Sequence, residues 1–235
     1  MKKLTYYLLM LIFIGCSESD HSAKNSLQPN SNTEADTIIL SENVSKEILN
    51  ETANPSTSNT FKIGFPLDSL LSFDSEAELK KVFKSNVKRS VGYYPEGMGE
   101  YANTLLFPDS KNEVEFVWAD DSINFSGLQY IKISAENTDW KTKEGITIGT
   151  DIKELENLNK KAFTFYGLEW DYSGMINWQD GHLSERKIFG SLGYADDVFP
   201  EGLEGLLGDH EIDSSSDLAK KAKLVLRELA MRRSE

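Results

Sequence analysis

The segment IGTDIKELENLN, Ile148 to Asn159, runs directly into KKAFTFYGLEWDY, Lys160 to Tyr172, and this junction decides how the chain is read. Asp151 stands where a helix N-cap belongs, and Glu154 follows three residues later, at the spacing of a capping box. Ile152, Leu155 and Leu158 then give the helix one apolar face. About ten residues are too few to hold a helix in isolation, so this one needs a sheet to lie on. The aromatic and β-branched residues from Phe163 onward supply a strand for that sheet.

The same plan occurs earlier. In FDSEAELKKVF, Phe73 to Phe83, Ser75 is the expected cap and Glu78 its partner, with Leu79, Val82 and Phe83 on one face. Strand-like runs follow: VKRSVGYY from Val87, EYANTLLF from Glu100, EVEFVW from Glu113 and LQYIKISA from Leu128. After the second helix come AFTFYGLEWDY, MINWQ from Met175 and LSERKIFG from Leu183. Turns are expected at Ser173-Gly174 and Asp180-Gly181, the latter as a two-residue hairpin. Strands joined so closely are antiparallel, because a parallel crossover takes about a dozen residues. The fold class is therefore α+β. It comprises two helix-plus-antiparallel-meander units, 61–135 and 141–190, and a C-terminal helix, 215–232. Leu218, Ala222, Val225, Leu226 and Leu229 form that helix's apolar stripe.

The N-terminal residues carry a different message. MKKLTYYLLMLIFIG has a basic start and an apolar run that falls short of the roughly 20 residues a membrane span needs, but fits a signal peptide. Cys16, the only cysteine in the chain, follows immediately. Residues 1–15 are read as a lipoprotein signal peptide. Residues 16–60, rich in Ser, Asn, Thr and Glu and without Phe, Tyr or Trp, are read as a disordered tether. Residues 61–235 form the globular domain. With its one cysteine lipidated, the domain would hold no disulfide. The formal net charge of −13, more negative still once Lys2 and Lys3 leave with the signal, argues against nucleic acid as a partner.

Four resemblances refine this reading. Phe13-Ile14-Gly15-Cys16 resembles a bacterial lipobox, which implies acyl chains such as palmitate on Cys16 and attachment to a membrane. Ser17-Glu18-Ser19-Asp20 resembles a short acidic export signal, which implies the outer membrane, on its periplasmic or cell-surface face. KEGITIGTDIKELENLN resembles the strand–Gly–capped-helix element of small envelope lipoproteins with the β-lactamase-inhibitor-protein-like fold. Residues 61–190 are also similar to uncharacterised bacterial envelope lipoproteins that share EGxxEY, here Glu96 to Tyr101, a strand tryptophan, here Trp118, and FYGxxWDYSG, here Phe165 to Gly174. These likenesses imply fold and location, not activity.

Chemistry is sparse. Asp120 and Asp121 lack the Gly and Glu of a calcium loop, His210 in HEID has no second His at i+4, and no nucleophile elbow or phosphate-binding glycine loop occurs. No cofactor, metal or catalytic set is expected. Alternation along the aromatic segment places Tyr166, Trp170 and Tyr172 on one face, joined by Trp178 from the next strand. This face is either a binding surface for an envelope protein or glycan, or one side of a sheet buried on both faces. The alternatives to a binding module are a glycan-processing enzyme using Glu169 and Asp171, and a purely structural envelope protein.

Overall fold

The computed structural model describes residues 63–94, 98–196 and 201–233. Cys16, the signal peptide and the tether lie outside the described residues, as does part of the EGMGEY motif. The fold is α+β, as the sequence leads one to expect. Strands β1 (Val87–Tyr93), β2 (Glu100–Leu106), β3 (Val114–Asp120) and β4 (Ser126–Ile133) form the first meander, each pairing antiparallel with the next. Helix α1 (Glu76–Phe83) precedes them. Its cap is Ser75, whose hydroxyl accepts from the Glu78 amide at 3.3 Å. Glu78 returns its bond to the amide of Asp74, at 2.8 Å, and Ser75 itself bridges to Ser126. Helix α2 (Ile152–Asn159) is capped by Asp151, which accepts from the Glu154 amide at 2.9 Å, and ends at Lys160 in the left-handed region.

The second half departs from the expected meander. β5 (Thr164–Tyr166) pairs with β6 (Ile176–Asn177) on one side and β8 (Glu211–Asp213) on the other, giving a separate three-stranded sheet. Asp180-Gly181 is not a hairpin turn. Gln179 and Asp180 take the positive φ values, while Gly181 caps the short helix α3 (His182–Glu185). Gly181 is there for proximity: a β-carbon on it would lie 2.2 Å from the Asn159 side chain. The buried Asn159 amide in turn bonds the carbonyls of Lys161 and Trp178 and accepts from the Leu183 amide. β7 (Ile188–Tyr194) consequently leaves its neighbours and joins the first sheet.

The expected C-terminal helix over 215–232 is also corrected. Only α4 (Asp217–Lys221) is helical, capped by Ser216; the chain turns at Lys223, and β9 (Leu224–Met231) follows. β9 lies between β4 and β7 in the six-stranded order β1-β2-β3-β4-β9-β7. Its register against β7 slips, so that Ser191 opposes Glu228 while Leu192 opposes Leu226. This bulge puts Leu226 and Leu229 on the buried side three residues apart, and that spacing imitates a helix. A single buried cluster takes in α1, α2, both sheets and β9, so the two expected units share one core. Among the described residues no helix is long and apolar enough to cross a membrane.

One ion pair ties α1 to the sheet. Glu76, at 4 % exposure, accepts from Arg89 Nε at 3.0 Å with both oxygens and meets Lys80 Nζ at 2.9 Å; the Arg89 guanidinium covers the Phe125 ring at 3.8 Å. Burial alone would raise the Glu76 pKa, but Arg89 and Lys80 outweigh it and hold the carboxyl below the ordinary 4.5. A depressed folded-state pKa gives stability that is complete above the ordinary value and is lost as pH falls through the folded one. Glu76→Gln should therefore cost about 1–2 kcal/mol at pH 7. Thermal melts of variant and wild type should converge below pH 4.5. Parallel melting curves at every pH would contradict this account.

Candidate functional site: an aromatic turn

The aromatic segment is a strand for only three residues. Beyond Tyr166 the chain is drawn inward. The Gly167 amide donates to the His210 carbonyl and the Leu168 amide to the Leu206 carbonyl, while Leu168 accepts from the Gly208 amide. Gly167 permits this approach, because a β-carbon there would stand 2.2 Å from the Gly208 carbonyl oxygen. Leu168 is sealed as a result. At Glu169 the backbone turns into the left-handed region (φ 66°), and residues 170–173 form a turn closed by Ser173 N–H to Trp170 O at 2.8 Å. The Ser173 hydroxyl accepts from the Glu169 amide at 3.0 Å.

The return limb is fixed as firmly. The Gly174 amide donates to the Tyr166 carbonyl, its own carbonyl accepts from the Leu192 amide of β7, and the Tyr166 amide donates to Met175 O. The turn is thus held by β5, by β7 and by the 206–210 segment. At its apex Trp170 is 59 % exposed and Tyr172 50 %, with Met175 also exposed beside them. The half-buried Tyr166 ring lies 6.0 Å from the Tyr172 ring, tilted by 43°.

Of the four expected binding residues, Tyr166 and Tyr172 are brought together, Trp170 is exposed on the same turn with its indole nitrogen toward Gly208, and Trp178 lies elsewhere. Trp178 is 4 % exposed, packs edge-on against Phe163 with centroids 5.0 Å apart, and donates its Nε1 proton to the Ile188 carbonyl at 2.7 Å. Period-two counting put it with the wet rings because it assumed that the strand continued past Tyr166. Met175 was missed; its position one residue after the Ser-Gly turn was the available signal.

Glu169 and Asp171 stand in solvent on this turn. Glu169 adds to the effect of burial in pushing up the Tyr194 hydroxyl pKa. Asp120 serves its own loop: its carboxylate accepts from the amides of Ser122, Ile123 and Asn124, and the first two of these bonds do most to draw its pKa down to about 2. Among the described residues no three His, Cys, Asp or Glu side chains converge as metal ligands.

No family model matches the chain, and no curated protein does. A solved structure, that of the uncharacterized protein yfeY from Escherichia coli, is similar over 67 % of this chain and 88 % of its own, at 10 % identity and a TM-score of 0.34.

Proposed function

We propose that the chain is a lipid-anchored outer-membrane lipoprotein, on the periplasmic or cell-surface side. In this reading it captures a protein or glycan partner without catalysis, through Tyr166, Trp170 and Tyr172. The observation that carries the proposal is the pair of large rings left in water on a turn whose two limbs are bonded into the fold. Rings with an apolar body and a polar tip are the residue types that dominate binding hot spots. A turn already fixed loses little further freedom when a partner arrives. Acyl chains on Cys16, each contributing about 0.8 kcal/mol per buried CH₂, would supply the anchor.

The test uses the full chain in cells. Wild type should cosediment with purified peptidoglycan sacculi or cross-link to an envelope protein, and Cys16→Ala should move it from the membrane to the soluble fraction. The Trp170→Ala, Tyr172→Ala double variant should weaken capture by at least about tenfold, while stability changes by no more than about 0.5 kcal/mol, as for surface sites. Equal capture by variant and wild type would end the proposal, and so would capture by neither.

A further inference from the structure

The six-stranded sheet ends differently at its two margins. At β7 the edge is closed: the Leu192 amide donates to the Gly174 carbonyl, and Met175 bridges to Ser191. At β1 it is open. The Tyr94 amide donates to the Gly99 carbonyl and the Phe107 amide to the Asn86 carbonyl. Continued along the strand, that alternation makes Lys88, Ser90 and Gly92 the residues that bond β2. Arg89, Val91 and Tyr93 therefore turn their amides and carbonyls away from the sheet. Among the described residues no backbone group meets them there.

Sheet edges are ordinarily guarded by bulges, prolines or outward charges. β1 pairs with β2 without a register slip, whereas β3–β4 and β7–β9 both slip. No proline or carboxylate lies between Val87 and Tyr94, in a chain of net charge −13. The Arg89 guanidinium is drawn aside to Glu76 and Phe125. Val91 is 49 % exposed, Tyr93 71 % and Tyr94 48 %, an uncovered apolar run along the margin. The three outward-facing residues are symmetric about Val91. An antiparallel copy of β1, turned about a two-fold axis at Val91, sets Val91 on Val91, Arg89 on Tyr93 and Lys88 on Tyr94 of the second copy. In this register amide meets carbonyl at each outward position, each cation faces an aromatic ring, and no like charges meet. Moving the axis to Arg89 would instead oppose two arginines.

We propose that β1 is a self-association edge, through which two copies of the chain join into one continuous antiparallel sheet and cover Val91 and Tyr93. The proposal does not rest on the aromatic turn, which is held against the opposite, β7 edge.

Sedimentation velocity of the full chain in mild detergent tests it, and wild type should sediment as a dimer. Val91→Pro removes an amide that bonds nothing in the β1–β2 ladder, so the variant should fold and dimerise about tenfold more weakly or less. Val91→Lys sets two ammonium groups face to face at the axis and should have the same effect, with an unchanged melt. Val91→Cys should close a disulfide across the axis under mild oxidation, because the α-carbons of such a pair stand about 5.5 Å apart. Lys88→Cys should not, since it is offset from its mate by roughly 20 Å along the strand. Wild type, which carries Cys16, sets the background for both. A monomeric wild type, or a dimer unchanged in the folded Val91 variants, would overturn the proposal. So would equal cross-linking of Lys88→Cys and Val91→Cys, or cross-linking of Val91→Cys in cells to a different protein.

Discussion

Trp178→Ala should destabilise the protein by about 3–5 kcal/mol, the usual cost of emptying a buried aromatic site. For a domain of this size that lowers the melting temperature by roughly 10 °C. The side chain is sealed, packs against Phe163 and satisfies the Ile188 carbonyl. The substitution therefore opens a cavity and orphans a buried acceptor at the same time. Ile188 begins β7, so the damage reaches the seam where the small sheet meets the large one. Trp170→Ala, only eight residues away, should be close to neutral for folding. Thermal melts of the two variants side by side decide between a structural and a binding tryptophan. Equal destabilisation would show that the wet and dry sides of this segment have been wrongly separated.

Gly174→Ala is the second large effect. Gly174 has φ 69°, and a β-carbon on it would sit 2.0 Å from the Leu192 carbonyl oxygen and 2.8 Å from the Leu192 carbonyl carbon and amide nitrogen. Those are backbone atoms of β7 and cannot swing aside. Either the turn withdraws, breaking the 2.9 Å bond from the Leu192 amide to the Gly174 carbonyl, or β7 is displaced. A loss of about 3 kcal/mol or more is expected, together with weakened partner capture, because the limb that presents Tyr172 and Met175 moves. Gly149→Ala is the control. It has φ 90° and open space around its β-carbon position, so it carries only the backbone cost of about 1–2 kcal/mol. Chemical denaturation of both variants separates the two causes. If they lose the same stability, steric contact with β7 is not what Gly174 avoids.

Local chemistry was legible in the chain. Ser75 and Asp151 cap their helices because a side-chain oxygen three residues before a free amide serves that purpose wherever it occurs, and β1 to β4 pair in sequence order across short turns. Trp170 and Tyr172 could be singled out as rings, but not yet as wet ones. Tertiary structure decided the rest. Leu224 to Met231 became a strand because β4 and β7 leave a slot between them, and the bulge at Arg227 hides its alternation behind a helical spacing. Trp178 is dry and Trp170 wet because Gly167 and Gly174 let the chain dive against Gly208 and Leu192, ending the alternation between them. Burial and strand membership depend on partners distant in sequence, and no local pattern encodes where those partners will stand.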